Sequence, residues 1–491
     1  MNDGLLLVLD EGTTSTRAML FDPAGNCLST AQSSIAQHYP ASGLVEQDAA
    51  EIWDKTLACA RQVVGEAQDP PQIRALGITN QRETIVFWDR NTGQPLAPAI
   101  VWQDRRTADA CNTLRDAGHE PMLRARTGLL LDPYFSASKI RWALDHWPAL
   151  RDAGDRLAVG TMESYLIHRL TGGLHISDAT NASRTALMDI HKGGWDDDLL
   201  ALFGVDRRLL PEITDSHGRF GTVDPSHFGL PLPICGLAGD QQAAAIGQNC
   251  LTPGQSKATY GTGAFVIAPT GATAVDSNNR LLSTIARQAG GERHYALEGS
   301  IFVAGSLIQW LRDSLGLLGT AAETAELAQS VPDNGGVYLI PAMTGLGAPH
   351  WRPDVRGVLS GLSFGAGRAH IARAALEAMA YQTHDLQAAF AADGTPWTEL
   401  RIDGGMAAND WMAQDIAGIL DMPVTRPAFV ETTAKGAAML AAVGAGLFPA
   451  LEDACEAMAG PSERFVPALD EETRAKRLAG WDEALAGVLR G

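Results

Sequence analysis

The first apolar run, Leu5-Leu6-Leu7-Val8-Leu9, is short and ends in Asp10, the pattern of a buried strand running into a turn. Glu11-Gly12-Thr13-Thr14-Ser15 supplies turn chemistry and Arg17 to Phe21 resumes a strand, so the unit reads as a β-hairpin with a hydroxyl-rich loop. Ile52, Trp53, Thr56, Leu57 and Ala60 share one face at helical spacing and predict a helix over residues 49–66. Apolar runs at 73–78, 85–88 and 99–102 predict strands that close on Thr79-Asn80-Gln81-Arg82-Glu83, on Asp89 to Gly93 and on Gln103-Asp104. Helices are expected over 107–118 and 136–146, whereas 171–235, richer in Gly, Pro, Asp and His, resists a reading.

In the middle of the chain, the apolar run from Leu232 to Leu237 delivers Asp240 into a glycine turn, and a helix over 243–250 is expected to cross between halves. Strand, glycine turn and strand then recur at 257–268, so the turn at Gly12 is echoed at Gly261. Beyond lie an expected helix at 301–315, a strand at 337–341 and a long amphipathic helix at 369–390, with Ile371, Ala375, Leu376, Met379 and Leu386 inward. A strand at 400–402 runs into Asp403-Gly404-Gly405, followed by helices at 408–420 and 433–446, the last built of small residues suited to close packing. No sequence repeat of short period is present.

The length of 491 residues allows two to four domains, or two large ones, at roughly 100–200 residues each. A net charge of -19 disfavours nucleic acid and anionic membrane as partners, but not a nucleotide held in a local pocket. The six cysteines form no C-x-x-C pair and no histidine stands at metal spacing, which is the usage of a reducing compartment. Asp3 and only five apolar residues at the start do not make a signal peptide. No run approaches the ~20 residues of a membrane helix. A soluble, cytoplasmic protein without membrane insertion is expected.

Four motifs carry candidate chemistry. In Asp10 to Arg17 the glycine turn aims N–H groups at an anion, with Thr13, Thr14, Ser15 and Arg17 as further donors. Asp10 beside phosphate calls for Mg²⁺, which a carboxylate holds directly or through water; the bland reading is an acidic hairpin. Tyr260-Gly261-Thr262-Gly263 is weak alone, yet paired with the first turn it would grip a polyphosphate from the other side of a cleft. Asp403 to Asn409 follows a strand; its glycines admit close approach of a ring or sugar, with Asn409 as a polar contact, against an ordinary strand-to-helix turn. Asn80 to Thr84 sets Arg82 and Glu83 at a strand end, donor beside acceptor, as a neutral polyol requires; elsewhere such a pair is a solvated surface contact. Asp240 reads as a proton acceptor, or as a helix N-cap. Trp102, Tyr134 and Phe265 would wall a polyol's carbons, although by periodicity each is a core aromatic.

The three glycine loops together resemble the ATP-binding pattern of the actin, hexokinase and Hsp70 superfamily. Asn80-Gln81-Arg82-Glu83-Thr84, Trp102-Gln103-Asp104, Tyr134-Phe135-Ser136, Thr180 to Thr185, Gly239-Asp240-Gln241-Gln242, Thr344 to Pro349 and Gly357 to Glu377 further resemble the glycerol-phosphorylating branch of the FGGY carbohydrate kinase family, from Leu6 to about Phe448. The resemblance implies an α/β fold of two actin-like (ribonuclease H-like) ATPase domains flanking a central cleft, 1–246 and 247–491. It implies ATP-dependent phosphorylation of glycerol to sn-glycerol 3-phosphate, with ATP and Mg²⁺ as cofactors and a homo-oligomer, dimer or tetramer. By matched position Arg82, Glu83, Tyr134, Asp240 and Gln241 would hold glycerol, with Trp102 and Phe265 packing its carbons. Thr13, Thr14, Ser15, Arg17, Thr262, Gly305, Gln309, Gly405 and Asn409 would contact the nucleotide, Asp240 would be the base and Asp10 the metal-side carboxylate. The alternatives are a kinase for another small polyol or ketose, or a non-catalytic actin-like ATPase module. Glu11 stands where many members carry Gln and would add a negative charge beside the phosphates. Gly221 to Pro233 lacks the Gly-Lys-rich loop that binds fructose 1,6-bisphosphate in enteric members, and His227-Phe228-Gly229 faintly resembles a segment phosphorylated in some Gram-positive members.

Overall fold

Two sheets repeat one arrangement. In the first, the hairpin Leu5–Glu11 with Ser15–Phe21 is antiparallel, and on the other side of Leu5–Glu11 lie Ile73–Asn80 and then Pro233–Gly239, both parallel. In the second, Gln255–Tyr260 with Ala264–Gly271 is antiparallel, and on the other side of Gln255–Tyr260 lie Glu399–Asp403 and then Val424–Pro427, both parallel. The first sheet is completed by Cys27–Ser34 and His217–Thr222, and the second by Leu282–Ala289, Glu292–Ile301 and Ser462–Phe465. The echo between Gly12 and Gly261 is therefore a repeat of whole half-molecules, the two-domain α/β architecture expected of an actin-like chain. This computed structural model describes residues 4–67 and 70–490; Asp3 lies outside them.

The apolar opening run is continuous because its strand is covered on both faces. Leu7 and Leu9 pack under the helix Ala49–Glu66, whose Asp48 caps the N–H groups of Ala50 and Glu51. Leu6 and Val8 pack against Ala434, Ala437, Ala438 and Ala441 of the helix Thr432–Gly444. A helix from late in the chain thus covers the first sheet. It crosses Asp240–Gly247 so closely that a methyl added at Gly436 would stand 1.8 Å from the Ala243 carbonyl, and one at Gly247 1.9 Å from that of Thr432.

Several elements depart from the pattern reading. The crossing helix begins at Asp240, three residues early, because Gly239 is its N-cap. The helix expected at 301–315 is Gly305–Asp313, since Glu292–Ile301 is still strand. Ile371 is only partly buried, whereas Ala375, Leu376, Met379 and Leu386 lie inside as expected. Met162–Thr171 and Leu157–Thr161 escaped detection because they are almost wholly buried, leaving no polar face to set a period. The C-terminal helix Glu471–Arg490 was missed as well.

Gly436→Ala is predicted to destabilise the protein by about 1–3 kcal/mol through overpacking against backbone, read from the urea midpoint; an unchanged midpoint would contradict this crossing.

Candidate active site

The ends of the parallel strands open into one cavity of about 170 Å³, lined among others by Thr13, Arg82, Glu83, Trp102, Tyr134, Asp240, Gln241, Thr262 and Phe265. Every residue expected to meet the polyol is present there. Trp102 meets Tyr134 edge-on at 5.7 Å and Phe265 at 6.0 Å, and its indole N–H donates to Thr13 Oγ1 at 2.9 Å. These three rings are partly buried at the cavity wall, which favours the wall reading over the core alternative. A wider space of about 510 Å³ adjoins the cavity and shares the same three rings.

Arg82 and Glu83 are buried, which removes the surface-pair reading. Arg82 Nη1 donates to Glu298 Oε2 at 2.5 Å and to Gln242 Oε1 at 3.2 Å, while its Nε lies 3.3 Å from Asp240 Oδ1. Arg184 Nε donates to Glu83 Oε1 at 2.6 Å and its Nη2 to Glu298 Oε1 at 2.8 Å. Glu83 sits at φ 62°, a backbone conformation few side chains tolerate. The Arg184 pair and a 2.9 Å bond from Ser136 Oγ to its carbonyl hold it there. Burial pushes the Glu83 carboxyl up, opposed by both arginines. Burial would also raise Glu298, but Arg184 and Arg82 outweigh it and hold that carboxyl below the usual range. The sequence named neither Arg184 nor Glu298 as a site residue. Arg184 stood in a motif carrying the resemblance; Glu298 sits among the seven continuously buried residues that end its strand, where only its charge signals it.

Asp240 is the first residue of its helix and not the cap; Oδ1 accepts from the Gln241 N–H at 2.7 Å, and the side chain keeps 30% of its surface open to the cleft. The enclosing walls raise its carboxyl above the usual aspartate value, with Arg82 and Lys257 opposing. Lys257, fully buried, donates to Gln241 Oε1 at 2.5 Å. Behind the cavity, Thr180 Oγ1 accepts from the Gly239 N–H at 2.9 Å, and Asn181 exchanges two 3.0 Å bonds with Asn80. The Thr180-Asn181 segment therefore fixes both strand ends that carry Asp240 and Arg82.

The nucleotide-side residues fall into two groups. The Gly261–Gly263 turn docks on the helix Gly305–Asp313: Gly305 N–H donates to the Gly261 carbonyl at 2.8 Å, so closely that a methyl on Gly305 would stand 2.6 Å from it. Gly404, at φ +87°, packs on Tyr260, while the Cα of Gly405 faces open space. Thr262, Gln309 and Gly405 are exposed, and Gly305 is partly buried at the first turn of its helix, where anions are favoured. Asn409 caps the helix Asp410–Leu420 through the Met412 N–H at 3.1 Å and reaches Thr324 at 3.3 Å, so its side chain is already engaged. Opposite, Thr14 is exposed, Thr13 half-buried and Ser15 buried. Arg17 pairs with Glu431 and lies 3.9 Å from Asp10. Burial pushes the Asp10 carboxyl up to about 7, with Arg17 opposing.

Glu11 points the other way. Its Oε1 accepts from Thr16 and Thr56, both at 2.7 Å, within the core, and burial pushes its carboxyl up to about 8. Strand alternation sends neighbouring side chains to opposite faces, so the expected charge beside the phosphates is not there. His227 is half-buried, edge-on to Trp53 at 5.2 Å and bonded to the Arg169 carbonyl at 3.1 Å. Among the described residues no group of three or more His, Cys, Asp or Glu is gathered to hold a metal, and no helix is long and apolar enough to cross a membrane.

A two-sheet α/β fold that repeats in each half, with a glycine turn from each half beside one cleft, defines the two-domain actin-like architecture, and comparison narrows it. Residues 5–247 match the N-terminal domain, and 256–445 the C-terminal domain, of the FGGY family of carbohydrate kinases. The chain belongs to that family. It is 54% identical over 494 residues to the glycerol kinase of Methylobacterium nodulans, covering 99% of this chain and 98% of that protein. It is likewise 54% identical over 490 residues to that of Rhodospirillum centenum, with the same coverage of each chain. The crystal structure of Plasmodium falciparum glycerol kinase with ADP superposes with a TM-score of 0.93 at 33% identity, over 99% of this chain and 98% of that one.

Thr180→Val, which strips the Gly239 N–H of its acceptor, is predicted to cost about 1–3 kcal/mol on thermal unfolding; an unmoved transition would show that the Asp240 strand end is held by something else.

Proposed function

We propose that the protein transfers the γ-phosphoryl group of ATP to a primary hydroxyl of glycerol, giving sn-glycerol 3-phosphate, the first step of glycerol catabolism. The observation that carries this reading is the joining of Arg82, Glu83 and Asp240 in one 170 Å³ cavity closed by three aromatic rings. That volume suits a three-carbon triol: pockets for drug-sized ligands run to roughly 300–1,000 Å³. The 510 Å³ space next door favours a second reading, a sibling kinase whose longer ketose or polyol extends past the rings. A non-catalytic actin-like ATPase module would have no use for the Arg82–Glu83–Asp240 constellation.

In this reading Arg82 donates to one substrate hydroxyl and Glu83 accepts from another, while Trp102 and Phe265 cover the carbon chain. Asp240 hydrogen-bonds the primary hydroxyl and accepts its proton as the phosphoryl group arrives. Phosphoryl transfer rests on positioning and charge neutralisation. The Gly12 and Gly261 turns supply N–H groups from both walls, with Thr13, Thr14, Ser15 and Thr262 adding hydroxyls. Asp10 fits a Mg²⁺ site: its buried carboxylate lies 3.9 Å from Arg17 and feels the negative charges of Glu431 and Asp240, and Mg²⁺ is ordinarily bound by one or two carboxylates plus phosphate oxygens. When bound, the ion would neutralise phosphate charge. Arg17 would have to leave Glu431 to reach a phosphate. Gly305, Gln309, Gly405 and Asn409 would then contact the nucleotide.

We take the domains as 1–246 and 247–491, with Thr432–Gly444 reaching back onto the first sheet. A homo-oligomer, dimer or tetramer, fits the exposed apolar Leu362 and Phe364, and the protein is assigned to the cytoplasm.

Asp240→Asn is predicted to lower turnover by at least about 10²-fold while ATP binding by calorimetry survives; retained turnover would remove Asp240 as the base. Lys257→Met takes a positive charge from beside Asp240, which disfavours the carboxylate and raises its pKa. Because the base must be ionised, the acid limb of kcat/KM for glycerol should move to higher pH; an unmoved limb would separate Lys257 from Asp240.

A further inference from the structure

Glu298 does not line the cavity, yet it meets both arginines that serve it. It lies on Glu292–Ile301 of the second sheet, fully buried. Its partners come from the first half of the chain, Arg82 from the loop after Ile73–Asn80 and Arg184 from the turn Ser183–Thr185. Each carboxylate oxygen takes one guanidinium, Oε2 that of Arg82 at 2.5 Å and Oε1 that of Arg184 at 2.8 Å. Each arginine then faces a carboxylate of the cavity, Arg82 that of Asp240 at 3.3 Å and Arg184 that of Glu83 at 2.6 Å.

The five groups form one alternating chain, Asp240–Arg82–Glu298–Arg184–Glu83. Without its central anion, two buried guanidinium groups would stand near one another with only the cavity carboxylates to neutralise them. Arg82 would then close its 3.3 Å approach to Asp240, the Arg184 arm now held by Glu298 would be released beside the 2.6 Å bond it already makes to Glu83, and the donors and acceptors meant for a substrate would be spent on each other. Glu298 spans the two sheets, so this balance also depends on the halves being in register.

We propose that Glu298 is a positioning residue for the acceptor substrate: by holding Arg82 and Arg184 apart and in place, it keeps Arg82, Glu83 and Asp240 free to bind the substrate's hydroxyls. The proposal rests on the cavity being the glycerol site. Gln at this position keeps the shape but sets an amide N–H₂ against one guanidinium, so that donor faces donor. Breaking a buried, hydrogen-bonded charge pair is costly, and the cost should appear in acceptor binding.

The test is Glu298→Gln, with glycerol and ATP binding measured by calorimetry and with steady-state kinetics. Glycerol binding should weaken by about 10-fold or more, while the KM for ATP changes less than about 2-fold. The acid limb of kcat/KM should move to lower pH, because a negative charge beside Asp240 has gone. That direction is opposite to the one expected for Lys257→Met. A purely structural role would lower the unfolding temperature and the active fraction but leave glycerol affinity and the pH limb where they were, and that result overturns the proposal. Should Glu298→Gln not fold, Arg184→Lys decides: it keeps the charge but loses the fork that joins Glu83 to Glu298. Weakened glycerol binding with unchanged ATP binding supports the proposal, and unchanged glycerol binding ends it. If the wild-type protein itself binds no glycerol, the function reading fails; if it binds and the variants bind equally well, only the role of Glu298 fails.

Discussion

The cleft depends on charge taken out of water. Arg82, Glu83, Arg184 and Glu298 are all at or near zero exposure, and each ion is stable there only because its neighbour carries the opposite sign. Such pairs contribute little net stability, since desolvation offsets attraction, but breaking one costs about 3–5 kcal/mol. What the network gives the protein is a fixed geometry. The guanidinium and carboxylate facing the cavity are set before a substrate arrives, so little reorganisation remains to be done on binding. The strained backbone at Glu83 belongs to the same arrangement, because the Arg184 pair and the Ser136 bond hold it in place.

The fold supplies two frames for that network. Strand ends of the first sheet present Arg82 and Asp240, and a strand of the second presents Glu298. Small residues at Gly247 and Gly436 let a mid-chain helix and a late one cross with their backbones nearly touching, which fixes the first sheet relative to late sequence. Asp178, Thr180 and Asn181, in a stretch that resisted a pattern reading apart from its Thr180 to Thr185 motif, form the scaffold behind the strand ends that carry Arg82 and Asp240, with Asp178 bonded to Thr180 and Asn181.

Much of this was legible in the sequence because strand ends and glycine turns follow local rules. The helix over 49–66 and the one over 136–146 match their expected bounds, as each has a clean amphipathic period. The polyol-side residues were legible by resemblance, and they do line one cavity. The sheet edges, the buried helix Met162–Thr171 and the charge relay through Glu298 and Arg184 were not, because each is fixed by partners distant in sequence: Arg184 is 114 residues from Glu298. Glu11 shows the limit in the other direction. Its position beside Asp10 suggested a phosphate neighbour, whereas strand alternation turned it into the core, against Thr16 and Thr56.

The most direct test of the central claim is ADP release from Mg·ATP with glycerol, dihydroxyacetone, xylulose, ribulose, gluconate or no acceptor. The account predicts strong turnover with glycerol and dihydroxyacetone as a poor second. Turnover only with a ketose or sugar acid would contradict the reading of Arg82, Glu83, Trp102 and Phe265, and acceptor-independent hydrolysis alone would contradict the assignment as a kinase of a small triol.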